Sequence, residues 1–254
     1  VEGQNRGIVV TPLLKAGEVL TDLHLQERGT FAEVEMENGE TGKIASGFFE
    51  LDGSRHGFLH RSPYLGEHNG FSFSNDRIES KNPSENLDHP LSGVRVLDFG
   101  IGGVGVETSR LLGEYGADVI KIETRTYPDF IRLVALSETS PSFASSSRSK
   151  RSFGCNVKTE EGLEIVKKLL QESDVLVENS ATGVMASLGL DFETLKQINE
   201  NIVMVSSQLV GSHGPNSHWT GYGPTTQTYG GLLHLWDYDD DDPPATNGTI
   251  FPDH

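Results

Sequence analysis

Apolar and polar positions repeat with different periods in three zones of the chain. From Gly7 to about Asn69, TPLLKAGEVLTDLHLQERG (11–29) has a helical period, with Thr11 before Pro12 at its start and Leu20, Leu23 and Leu25 among charges. FAEVEME (31–37) alternates apolar and polar residues as a half-buried strand does. The turn residues Asn38-Gly39 follow, then a further extended piece through Phe48, Phe49 and Leu51. The second zone ends in SFSNDRIESKNPSENLDHP (72–90), a polar stretch with two prolines and little periodicity that buries too little surface to fold by itself and is expected to be a linker.

The third zone alternates strand and helix signals. VRVLDFG (94–100) is a short apolar run, ETSRLLGEYG (107–116) a helix, and DVIKIE (118–123) a strand. Next come a helix in EEGLEIVKKLLQES (160–173), opened by Thr159, a strand in DVLVEN (174–179), a helix in FETLKQINE (192–200) and a strand in NIVMVSSQ (201–208). Repeated βα units with near-continuous apolar strands predict an α/β fold, a parallel sheet covered by helices. Ligands of such sheets sit beyond the carboxyl ends of the strands, so the residues there carry the functional question.

Composition narrows the class. The 254 residues are 35% hydrophobic and 8% aromatic, enough for a sizeable core. No apolar run approaches the roughly 20 residues of a membrane helix, and no charged-then-apolar leader opens the chain, so the expected compartment is the cytoplasm, with no membrane partner. Twenty Lys+Arg against 37 Asp+Glu give a formal charge of −17, which argues against nucleic-acid partners but leaves room for a small anion held by clustered cations. Cys155 is the single cysteine, so no internal disulfide or multi-cysteine zinc site is expected, and no metal. The start at Val1 and the stop at Pro252-Asp253-His254 read as those of a fragment.

Gly100-x-Gly102-x-x-Gly105 lies between the first strand of the third zone and its helix, and Glu123 closes the next strand. That is the pattern of a nicotinamide-dinucleotide site, in which glycines admit the pyrophosphate and the acid holds a ribose. A tight strand-to-helix turn also needs glycines whatever it binds. Past the strand ends stand Arg125 and Arg132, and SSSRSKRSFGCNVKT (145–159) adds Arg148, Lys150, Arg151 and Lys158, a cluster that suits a phosphate ligand or a solvated loop.

PLSGVRVLDFG, the loop ending at Gly105, RLLGEYGADVIKIE, RSKRSFGCNVKTEEG, DVLVENSATGVMASLGL, GSHGPNSHWTGYG and FPDH together resemble, in order and spacing, the family III CoA-transferases, which also include carnitine-CoA and formyl-CoA transferases and methylacyl-CoA racemases. The resemblance covers Pro90 to His254 and implies a Rossmann-like, doubly wound parallel sheet that takes coenzyme A or acyl-CoA. GIVVTPLLKAGEVLTDLHLQERGTFAEVE and SPYLGEHN resemble the carboxyl-terminal part of the same family. The resemblance therefore implies residues 1–69 as a smaller α+β segment of a preceding copy, 70–90 as a linker, and 91–254 as the CoA-binding part of a second copy. Family members form interlaced homodimers, and a tandem protein would form the equivalent pseudo-dimer within one chain.

The resemblance assigns the catalytic carboxylate to Asp253, which attacks a donor thioester and passes CoA to an acceptor carboxylic acid. It assigns CoA contacts to Gly103, Val104, Lys158 and Asn179, with Arg125, Arg148, Lys150 and Arg151 as phosphate partners. Three departures bear on this. Ser180-Ala181-Thr182 precede Gly183 where many members have an aromatic, a variable residue and Pro; Ser187 replaces an arginine used by formyl-CoA transferases; and Thr124 replaces the one after the IE pair, with Arg125 beside it. Racemases carry Gly-His-Asp where this chain has Gly221-Tyr222-Gly223, which disfavours two-base racemisation, though His213, His218 and His234 are near in sequence. A catalytically silent CoA-binding half and a nicotinamide-dependent oxidoreductase remain as alternatives. WDYDDDDPPATNG lacks the glycine and distal glutamate of a calcium loop and reads as an exposed acidic loop, and Asn247-Gly248-Thr249 matches a glycosylation sequon.

Overall fold

The computed structural model describes residues 1–36, 38–47, 49–64, 67, 69, 89–134 and 140–236. The expected linker falls almost wholly outside the described residues. So do Asp253, the acidic run and the sequon.

In the amino-terminal segment, three short helices, α1 (Glu2–Asn5), α2 (Ala16–Val19) and α3 (Leu23–Glu27), precede two antiparallel hairpins, β1 (Phe31–Glu35) with β2 (Thr41–Ala45), and β3 (Phe49–Leu51) with β4 (Ser54–His56). The single helix expected over 11–29 is therefore interrupted. Asp22 turns extended and caps α3 by accepting from the Leu25 amide at 3.0 Å, so the local cap overrides a continuous helical period.

The remainder is a βα succession: β5 (Arg95–Phe99), α4 (Val104–Glu114), β6 (Asp118–Glu123), α5 (Phe130–Val134), α6 (Pro141–Ser146), β7 (Lys150–Gly154), α7 (Glu160–Gln171), β8 (Val175–Glu178), α8 (Val184–Ser187), α9 (Phe192–Ile198), β9 (Val203–Ser206) and α10 (Gly223–Tyr229). The five strands form one parallel sheet in the order β7-β6-β5-β8-β9, the doubly wound arrangement, with the order reversing at β5. β7 was not legible as a strand, because its pattern is mostly exposed and polar, as an edge strand permits.

Side-chain alternation along these strands builds two layers. Leu97, Ile122 and Leu176 point to the face covered by α7, α8 and α9, where Val166, Leu170, Leu190 and Leu195 complete the larger core. Val96, Val119 and Val177 point to the opposite face, with Ala117 and Leu112 beside them, and α4 packs over β5, β6 and β8 there. The same period of two sends Asp98, Lys121 and Asn179 toward the α4 side, at the carboxyl end of the sheet.

The amino-terminal segment packs on the region after β9. Leu14 and Leu25 join Val210, Trp219 and Tyr229 in a third cluster. Gln4 exchanges hydrogen bonds with the Thr220 backbone at 2.9 Å in both directions, and the Tyr229 hydroxyl donates to Asp22. His24 is fully buried; its Nδ1 accepts from the Asn216 amide at 3.1 Å, so its proton sits on Nε2 and is donated to the Val210 carbonyl at 2.9 Å.

Candidate functional site

The glycine turn after β5 is filled from within. A Cβ at Gly102, whose φ of +78° favours glycine, would collide with the Phe130 ring, one at Gly105 with the Asn179 side chain, and one at Gly100 with the Val106 amide. Its amides are used inside the chain as well. Asp98 accepts from Gly100 N at 2.7 Å, Asn179 Oδ1 accepts from Ile101 N at 2.8 Å while its Nδ2 donates to the Ile101 carbonyl, and Asp129 accepts from Gly102 N at 3.1 Å.

Beneath the turn lie two buried ion pairs. Lys121 Nζ donates to the Gly100 carbonyl at 2.7 Å and stands 3.1 Å from Asp129, with side chains 5% and 2% exposed. Lys150 Nζ bonds Asp98 at 2.8 Å, the Val106 carbonyl at 2.8 Å and Ser109 Oγ at 2.9 Å, which uses all three of its hydrogens. Burial pulls the Lys150 ammonium below the ordinary lysine range, and the charge and hydrogen bond of Asp98 work against that shift.

This geometry engages some of the groups a dinucleotide would use. Three side chains, those of Asp98, Asn179 and Asp129, each take one of the amides of Gly100, Ile101 and Gly102. Glu123, the candidate ribose acceptor, takes Arg132 Nε on both oxygens at 3.0 Å and accepts from the Asp129 amide at 2.9 Å. The first turn of α4 has no acceptor of its own among the described residues. Gly103 caps that helix without a side-chain bond, and the amides of Val104, Gly105 and Val106 have no acceptor among the described residues.

The sheet divides the cations of the sequence between its two ends. Arg148 pairs with Glu114 at the far end of α4, and Arg151 with Asp118 at 3.0 Å, where β6 begins; both lie at the amino edge. Arg125 and Lys158 lie at the carboxyl edge with Gly103, Val104 and Asn179. Arg125 is exposed and has no ion pair or hydrogen bond among the described residues, and the Lys158 ammonium stands 4.9 Å from the centroid of the Tyr127 ring. Tyr222 of the Gly221-Tyr222-Gly223 element meets the Phe130 ring edge-on at 5.7 Å, so that element borders the glycine turn. Of the three nearby histidines, His213 stands 3.4 Å from Glu50 and His218 bonds Asn5 at 2.9 Å, both toward the amino-terminal segment. Asp98, Lys121 and Asp129 escaped sequence reasoning, although the first two are charges interrupting apolar strands, a pattern that marks a buried pair. Among the described residues no group of three or more His, Cys, Asp or Glu is arranged to hold a metal, and no helix is long and apolar enough to cross a membrane.

Known proteins resemble this chain in sequence and in fold. The model of CoA-transferase family III matches residues 91–254. A probable CoA-transferase of Mycobacterium tuberculosis, Rv1866, is 33% identical over 99% of this chain and 33% of its own length. The mouse succinyl-CoA:glutarate CoA-transferase is 36% identical over 61% of this chain and 36% of its own. The chain thus spans about a third of the length of these curated relatives. The crystal structure of a CaiB/BaiF family protein from Brucella suis superposes with a TM-score of 0.59 and 31% identity, covering 66% of this chain and 46% of that one. Since the family match takes in more than half of its residues, this chain belongs to CoA-transferase family III.

Proposed function

We propose that the protein moves CoA from an acyl-CoA thioester to an acceptor carboxylic acid, with Asp253 as the nucleophile. The observation that carries this reading is the family match, which runs through Pro252-Asp253-His254. The succinyl-CoA transferases among the relatives favour a dicarboxylic acyl group on the donor.

In this reading the Asp253 carboxylate adds to the thioester carbonyl, the C–S bond breaks, and CoA leaves as the thiolate from a mixed anhydride. The thiolate then attacks the aspartyl carbonyl, releasing the donor carboxylate and leaving an aspartyl-CoA thioester. The acceptor carboxylate attacks that thioester, and the thiolate takes the acceptor acyl group from the resulting anhydride. Asp253 is regenerated, no redox change occurs, and water must be kept out because either anhydride would hydrolyse. The uncapped start of α4 offers the Val104 amide to a coenzyme phosphate beside Gly103, whose own amide donates to the Ile101 carbonyl at 3.1 Å, and Arg125 and Lys158 add charge at the same edge. Asn179 holds the turn in shape through its paired bonds to Ile101, and Lys150 does so from below.

Residues 1–69 fit a segment of a preceding copy, 70–90 a linker and 91–254 the start of a second. In support, the Rv1866 match takes in the amino-terminal segment that the family model leaves out. The docking of that segment on the region after β9 fits a pairing of copies, within one chain or between two. A cytoplasmic location accords with soluble acyl-CoA chemistry. One observation favours the silent-half reading: only Arg125 and Lys158 of the proposed phosphate partners reach the carboxyl edge.

The test is exchange of labelled CoA between succinyl-CoA and candidate acids in the full-length protein, with hydroxylamine trapping of the acyl-enzyme. Asp253→Ala is expected to abolish both exchange and trapping. Exchange that survives the substitution would assign catalysis elsewhere.

A further inference from the structure

The amino-terminal segment is linked to the glycine turn through one buried side chain. Gln4, on α1, is 6% exposed, and its amide serves as a peptide group does. Nε2 donates to the Thr220 carbonyl at 2.9 Å while Oε1 accepts from the Thr220 amide at 2.9 Å, and the second Nε2 hydrogen goes to the Val10 carbonyl at 2.8 Å. Two residues past Thr220 stands Tyr222, which meets the Phe130 ring edge-on at 5.7 Å. Phe130 in turn fills the space beside Gly102 that a Cβ would need, and the neighbouring Asp129 holds the Gly102 amide. On the far side of Tyr222 the same segment grips again: Thr11 Oγ1 donates to the Thr225 carbonyl at 3.1 Å, and the Leu14 amide to the Thr228 carbonyl at 3.0 Å. Residues 220–228 are thus fixed on both sides of Tyr222 by the amino-terminal segment, and the ring between those anchors bears on the glycine turn.

We propose that Gln4 is a positioning residue for the candidate site: it sets Tyr222 against Phe130, so that docking of the amino-terminal segment tightens CoA binding at the glycine turn. The inference rests on the acyl-CoA reading above and adds to it a residue from the part of the chain that the family model leaves out. Tyr222 is 59% exposed and lies between Gly221 and Gly223, so the ring depends on its anchored neighbours for its place. A turn that must keep one backbone shape to present the Val104 amide is sensitive in turn to what packs against it. By reciprocity, a segment whose docking raises CoA affinity is itself held more firmly when CoA is bound.

The test uses the full-length protein, with CoA binding measured by calorimetry in wild type, Gln4→Ala, Tyr222→Ala and the double variant. Gln4→Ala is expected to weaken CoA about fivefold, the scale for a residue that acts from a distance through its neighbours. In the Tyr222→Ala background the same substitution is expected to have no further effect, because the ring through which Gln4 acts is gone. A second readout needs no variant: at saturating CoA, hydrogen exchange of the Thr220 amide in the wild type is expected to slow by about the same factor. Wild-type CoA affinity in Gln4→Ala, or equal losses in both backgrounds, would overturn the positioning role and leave the transferase reading standing. Thr220 exchange indifferent to bound CoA would do the same, even where Gln4→Ala does not fold. A wild type that binds no CoA would remove both readings together.

Discussion

The two ends of the parallel sheet use the same residue types for different purposes. At the amino edge, Arg148 and Arg151 face carboxylates of the chain, Glu114 and Asp118, and are consumed by them. At the carboxyl edge, Arg125 and Lys158 face solvent and a tyrosine ring. Between the two, Lys150 starts on β7 and extends along the α4 side of the sheet to Asp98, where it is 2% exposed. Four cations close together in sequence, with Arg125 upstream of them, therefore divide into two exposed ion pairs, one buried strut and two groups at the carboxyl edge. Position on the sheet decides which: a parallel strand carries its first and last residues to opposite ends, so Lys150 and Arg151 open β7 while Lys158 follows its exit.

The largest expected effect falls on the strut. Lys150→Met keeps the aliphatic length but leaves the Asp98 carboxylate buried without its cation, a change that costs about 3–5 kcal/mol. Urea denaturation would measure the loss. Adding Asp98→Asn to the same protein is expected to recover part of it, because the uncompensated charge goes too. Unchanged stability together with weakened CoA binding would break the comparison, since Lys150 would then be a ligand group reaching the carboxyl edge.

A smaller effect separates the edges directly. Hydrogen bonds to charged groups are worth roughly 1.5–3 kcal/mol, so Arg125→Ala and Lys158→Ala are each expected to weaken CoA binding about tenfold or more. Arg151→Ala, which removes a side chain 76% exposed and paired with Asp118, is expected to leave that affinity unchanged. Equal losses at both edges would mean that a general positive field attracts the ligand and that the carboxyl edge has no special part.

Much of this was readable from the residues. Apolar runs of four to six residues announced β5, β6, β8 and β9, and Thr159 announced α7, whose Gly162 amide its hydroxyl accepts at 3.1 Å. β7 was hidden because an edge strand has little apolar surface to display. The glycine pattern was visible, but what fills it was not: Phe130 and Asp129 lie more than twenty residues downstream, and their approach to Gly102 depends on how the chain leaves β6. The cation cluster was visible as well, whereas its division required knowing that Lys150 begins a strand. Long-range pairing decided each of these, and neither residue periodicity nor local spacing records it.

The subtlest effect lies at the amino edge and appears as a pH dependence. Partial desolvation works to raise the Glu114 carboxyl, but hydrogen bonds from Arg110 and Arg148 outweigh it, and the net shift is below the ordinary carboxylate value. A lowered folded-state pKa contributes stability that is present above the unfolded value, about 4.5, and is lost as pH falls through the folded value. Acid should therefore loosen the link between the end of α4 and the entry to β7. Carboxyl NMR titration of Glu114 in wild type and Arg148→Ala measures this: the substitution is expected to move its midpoint up toward the ordinary value. A midpoint that does not move would show that Arg110 alone holds Glu114, and Arg148 would then join Arg125 as a cation without a structural duty.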